Sequence, residues 1–215
     1  MKPAIIIICL ALLLVSCDSR EPVNYERGVY LLLDTSGTYT EELEKARQII
    51  NYLLSNLESG DSFVVARIDS GSFSEKDIIA KVELDSRPSA ANRQKREFAE
   101  TVDIFINSVQ SSAYTDISGG LLQAIEYLNE AEVGEKYIFV YSDLKEDLPK
   151  DFVRDFDLTL DGFVVKALNV TKLRSDNVNP EDYLQRVEAW RTKVEQGGGR
   201  WALVNDLDRA DALAL

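Results

Sequence analysis

The sequence predicts one doubly wound α/β domain with a mostly parallel sheet and helices on both faces. From residue 28 onward, short apolar segments alternate with amphipathic helical segments, too regularly for an α+β layout. The apolar segments are continuous runs, as strands buried on both faces should be. A length of 215 residues suits one such domain with a short appendage. One edge strand is expected to run antiparallel.

Each element follows from its own pattern. Val29 to Leu33 reads as a buried central strand, with Asp34 at its end. Thr40 to Leu57 places Leu43, Ala46, Ile49, Ile50, Leu53, Leu54 and Leu57 at three-to-four-residue spacing, which is an amphipathic helix. Ser62 to Ile68 is the next strand, and Asp77 to Leu84 an edge strand. Ser89 to Gln110 is helical, with Phe98, Val102, Phe105, Ile106 and Val109 on its stripe. Another helix starts near Asp116 and carries Ile117, Leu121, Ala124, Ile125 and Leu128. Tyr137 to Tyr141 and Asp161 to Val170 are two further strands. Asn179 and Pro180 begin a helix that Gly197, Gly198 and Gly199 stop, and Arg200 to Asn205 is a last strand. Trp190 and Trp201 sit at core spacing, and Arg93 to Arg96 reads as a solvated helix face.

Composition excludes much chemistry. With 24 basic and 37 acidic residues the net charge is -13, which argues against nucleic acid or anionic lipid as an electrostatic partner. Histidine is absent, which removes Ser-His-Asp and Cys-His catalysis and His-ligated zinc. The two cysteines, Cys9 and Cys17, both lie near the N-terminus, so the main body carries neither a disulfide nor a thiolate cluster.

Residues 1–16 form a basic start, an apolar stretch from Ala4 to Val15 and a small residue before Cys17, the pattern of a secretory signal. The ending Leu14-Val15-Ser16-Cys17 resembles the lipobox of bacterial lipoproteins. That resemblance implies cleavage before Cys17, a diacylglycerol on its thiol and acylation of the new amino terminus by a fatty acid such as palmitate. Residues 17–27 then form a lipidated tether, and 28–215 the domain. Asp18 resembles the signal that retains Gram-negative lipoproteins at the inner membrane, which implies a domain facing the periplasm.

Ligands of a doubly wound sheet sit at the carboxyl ends of its strands. Three loops of this chain meet that condition, Asp34-Thr35-Ser36-Gly37-Thr38, Tyr114-Thr115-Asp116-Ile117 and Ser142-Asp143, and all offer carboxylates or hydroxyls. Such oxygen donors suit Mg²⁺ or Mn²⁺ better than zinc or copper. Taken singly, each loop is an ordinary turn or helix cap.

In order and spacing, Asp34-x-Ser36-x-Thr38, then Thr115, then Asp143, resembles the metal-ion-dependent adhesion site of the von Willebrand factor type A family. The family pattern has a second Ser where Thr38 stands. The resemblance implies that Ser36, Thr38 and Thr115 touch the metal through hydroxyls, and that Asp34 and Asp143 hold it directly or through water. Asp116 is then a helix cap or an outer acceptor. It also implies a binding module without catalysis, whose metal takes a carboxylate from a partner protein. The alternatives are a metal-free scaffold of the same fold, or a phosphatase with Asp34 as nucleophile. Phosphatases of the haloacid dehalogenase class carry a second acid two residues on, where this chain has Ser36.

Overall fold

The computed structural model describes residues 24–37, 39, 42–69, 71, 74–150, 152, 154, 156–207 and 210–215. The elements are β1 (Arg27–Asp34), α1 (Leu43–Asn56), β2 (Ser62–Ile68), β3 (Ile78–Glu83), α2 (Pro88–Ser108), α3 (Ile117–Glu130), β4 (Glu135–Tyr141), β5 (Phe163–Leu168), α4 (Pro180–Gln196) and β6 (Arg200–Val204). The six strands form one sheet in the order β3-β2-β1-β4-β5-β6. Every neighbouring pair is parallel except β2 and β3, so the edge strand runs antiparallel as predicted.

Alternation along β1 builds the two cores. Val29, Leu31 and Leu33 face one side with Phe63, Val65 and Phe139, under α1 and α2. Tyr30 and Leu32 face the other with Val64, Ile138 and Val140, under α3 and α4. Residues 29 to 33 are wholly buried on both faces, which is why that stretch of sequence is unbrokenly apolar.

Some boundaries differ from the sequence reading, for local reasons. The strand expected over Asp161 to Val170 is trimmed to Phe163–Leu168, because Gly162 (φ 81) and Asn169 (φ 51) both adopt left-handed backbone. Trp190 is buried, whereas Trp201 on β6 is only half-buried. The Arg93 to Arg96 run is not wholly a solvated face. Lys95 Nζ donates to Leu57 O at 2.6 Å and Gln94 Nε2 donates to Glu83 O at 2.9 Å, tying α2 to the end of α1 and to the edge strand β3.

Among the described residues no helix is long and apolar enough to cross a membrane. Cys17 and the apolar stretch before it lie outside the described residues.

Candidate metal centre

Strand order reverses between β1 and β4, because the chain leaves β1 towards β2 and later resumes on its other flank with β4. The crevice at the carboxyl ends of these two strands is where a doubly wound sheet binds ligands. Asp34 is the last residue of β1, and Ser142 and Asp143 directly follow β4. Leu33 pairs with Tyr141, so the parallel register brings Asp34 beside Ser142.

Asp34 is wholly buried. Its Oδ2 accepts from Ser142 Oγ at 2.6 Å, and its Oδ1 accepts from the Ser36 amide at 2.8 Å. The sequence reading set Asp34 beyond the strand; here it belongs to β1 and is part of the packed interior. Its parity explains this, since Asp34 follows Tyr30 and Leu32 towards the α3–α4 face. Burial raises its pKa above the ordinary carboxylate value, while hydrogen bonds from Ser142 and Ser36 pull it back down.

The second loop folds over the first. Ser36 forms a parallel bridge with Ser112, and the Ser112 amide donates to Thr35 O at 2.8 Å. Buried Thr115 forms an antiparallel bridge with Asp147: its amide donates to Asp147 O at 2.8 Å, and the Asp147 amide donates back to Thr115 O at 3.0 Å. Thr115 is thereby fixed against the loop that carries Asp143.

Asp143 is 5% exposed, and its Oδ1 accepts from the Lys145 amide at 2.8 Å. Burial raises its pKa, and the nearby Asp34 charge raises it further, against the lowering pull of the Lys145 amide and the Arg186 guanidinium. Asp34, Ser36, Thr115 and Asp143 are thus gathered at one end of the sheet. Thr38 lies outside the described residues.

Asp116 takes the cap role. It is wholly buried, its Oδ1 accepts from the Gly119 amide at 2.8 Å, and it pairs with Arg154, whose Nε lies 3.1 Å from both carboxylate oxygens. Glu146 adds a second cap, accepting from the Ser118 amide at 2.7 Å. The N-terminus of α3 is therefore already supplied with two carboxylates.

These donors fit a hard divalent cation in kind. Two buried carboxylates whose ionised forms are disfavoured by burial, with hydroxyls alongside, gain most from a positive charge between them. Among the described residues no group of three or more His, Cys, Asp or Glu side chains is placed to hold a metal. Hydroxyls and water would have to complete the coordination. A groove beside α1, lined by Lys45, Ile49, Tyr52 and Leu213, and a shallow surface along α4 lie elsewhere.

Sequence reasoning missed Arg154, Arg186 and the bond from Ser142 to Asp34. Ser142 was visible as a hydroxyl next to Asp143, but nothing in the sequence links the arginines to loops 38 and 43 residues away.

No protein-family model matches the sequence, and no curated protein matches it. Solved structures do. A von Willebrand factor type A structure from Catenulispora acidiphila is similar over 89% of this chain and 40% of its own, with a TM-score of 0.51 and 12% identity. The chain has the von Willebrand factor type A fold. The pilus adhesin SpaC of Lactobacillus rhamnosus GG, in an open conformation, is similar over 90% of this chain and 29% of its own, with a TM-score of 0.52 and 14% identity. The chain spans less than half the length of either protein. At such identities the von Willebrand factor type A likeness is one of fold.

Proposed function

We propose that this chain is a membrane-anchored, non-enzymatic binding module that engages a protein partner through a divalent cation, Mg²⁺ or Mn²⁺. The carrying observation is the burial of Asp34 and Asp143 at the ends of adjacent strands, where each ionised carboxylate needs positive charge nearby. The holding set would be Asp34, Ser36, Thr38, Thr115 and Asp143. A bound cation with an open position supplies an attachment point for a carboxylate of the partner. The residues of the chain have separate tasks. Ser142 and the Ser36 amide fix the Asp34 carboxylate, the Lys145 amide fixes that of Asp143, and the Asp147 bridge fixes Thr115.

Anchoring is carried by Cys17, with Asp18 directing retention at the inner membrane, so that the domain faces the periplasm. Several acyl chains hold a protein firmly where one would hold it marginally. Replacing Cys17 with Ser is expected to abolish labelling by a fatty-acid probe and to change the membrane fraction of the protein. Wild-type labelling of that variant would remove the lipoprotein reading.

The cation reading is tested by melting the full chain across millimolar Mg²⁺, Mn²⁺ and Ca²⁺. A ligand that binds only the folded form raises the melting temperature with the logarithm of its concentration above Kd. A flat profile for all three would leave the metal-free scaffold as the surviving function. Capture of partners from membranes with and without chelator then separates a cation-dependent contact from a cation-independent one.

A further inference from the structure

The segment after β4 is held from the side by one face of α4. Arg186 Nε donates to the backbone oxygen of Asp143 at 2.9 Å, and Trp190 Nε1 donates to that of Leu144, also at 2.9 Å. Arg186 and Trp190 are four residues apart, so they project from the same helical face onto two successive carbonyls. Between those carbonyls the chain takes an unusual path. Leu144 has φ 64 while being 1% exposed, a left-handed conformation that a branched side chain seldom adopts.

Arg186 is itself braced. Its Nη2 and Nη1 reach the two carboxylate oxygens of Asp176 at 2.9 and 3.3 Å, and the Asp176 side chain is wholly buried. Inside the loop, the Leu144 amide donates to Ser142 Oγ at 3.0 Å, and that hydroxyl in turn donates to Asp34. A continuous chain of bonds therefore runs from Asp176 through Arg186 and the 142–144 loop to Asp34.

We propose that Arg186 and Trp190 are positioning residues: from α4 they hold the 142–144 loop in its left-handed path and so set the Asp143 carboxylate where a cation would need it. Neither residue would touch the cation. Its consequence for cation binding rests on the function proposed above, whereas its consequence for the loop does not. Backbone oxygens held on two successive residues leave the loop little freedom to swing Asp143 away from Asp34.

The test uses the full chain with Mn²⁺ alone as the probe. Replacing Arg186 singly would strand the buried Asp176 carboxylate and confuse positioning with stability. The double variant Arg186→Gln with Asp176→Asn removes both charges, and Trp190→Phe keeps the ring but loses the N–H. Melting without metal should stay close to wild type in the double variant. Its Leu144 and Lys145 amides should exchange with solvent at least about tenfold faster, and Mn²⁺ should bind about 10–100-fold more weakly. Trp190→Phe should move both readouts in the same direction by less, and Arg186→Lys, which keeps the charge and its donors on a single nitrogen, should recover part of each. Wild-type exchange at Leu144 and Lys145 in the double variant would overturn the proposal, as would unchanged Mn²⁺ affinity. If wild type binds no Mn²⁺, the cation reading fails, and the amide exchange alone decides the loop.

Discussion

Asp34→Asn is expected to abolish stabilisation by Mn²⁺ while making the metal-free protein more stable than wild type near neutral pH. The substitution is chosen for its geometry. The asparagine oxygen can keep the Ser36 amide, and its NH₂ can donate to Ser142 Oγ, which reverses the direction of that bond but keeps the pair in contact. The main change is the loss of charge. Asp34 has a raised pKa because burial disfavours its ionised form. A carboxyl raised in the folded state favours folding most below its unfolded pKa, and that contribution disappears as pH climbs through the folded value. The advantage of Asp34→Asn over wild type should therefore be absent at about pH 3 and grow as pH rises through and above the ordinary carboxylate range near 4. Added Mn²⁺ should reverse the order by stabilising wild type alone. The loss of affinity should exceed the roughly 10–100-fold typical of residues that only support a metal ligand. Denaturant melts at several pH values, with and without Mn²⁺, check each part. An Asp34→Asn protein that still gains from Mn²⁺ as wild type does would remove Asp34 from the site. Asp34→Ala is the poorer tool, since it leaves the Ser36 amide and Ser142 hydroxyl without an acceptor at a cost of about 1–3 kcal/mol.

Arg154→Met should destabilise the fold by about 3–5 kcal/mol, the usual result of leaving one partner of a buried ion pair alone. The Asp116 side chain is wholly buried and that of Arg154 only 17% exposed, so little solvent can replace the guanidinium. Asp116 also caps α3 through the Gly119 amide, so its disturbance loosens the start of the helix beside Thr115. Combining Arg154→Met with Asp116→Asn should recover most of the loss, because the amide oxygen still caps Gly119 without a charge. Urea unfolding of the two proteins gives the comparison. A single variant within about 1 kcal/mol of wild type would mean that the pair behaves as an exposed one.

The fold was legible because its strands are buried on both faces. Val29 to Leu33 could not be mistaken for a solvated strand, and β3, which follows β2 with no long helix between them and carries charged residues, was legible as an edge strand. That Asp34 and Asp143 lie side by side was legible too, since each sits at the carboxyl end of a strand, whereas Thr115 lies on the connection between α2 and α3 and is placed by its bridge to Asp147. What escaped the sequence depends on side chains crossing between elements. The parity that buries Asp34 needs the whole register of β1, and the hold of Arg186 and Trp190 needs the angle at which α4 crosses the sheet. Trp190 looked like core alone, and it is core; its N–H has a second task that no spacing reveals.

The entry of the chain into the fold has a consequence for orientation. Asn24 is fastened near the start of β1, where its Nδ2 donates to Glu132 O at 2.9 Å. Gly134 beside it has no room for a side chain, because a Cβ there would come within 1.8 Å of Asn24 O. Asp34 lies at the far end of the eight-residue strand, about 23 Å from its first residue at the usual rise per residue. With Cys17 lipidated, the six residues from Asp18 to Val23 reach at most about 20 Å. In that case the carboxylates would lie at the pole of the domain opposite its anchored end. A partner would meet it from the aqueous side, and lengthening the tether should alter which heights above the membrane it can reach without touching its affinity.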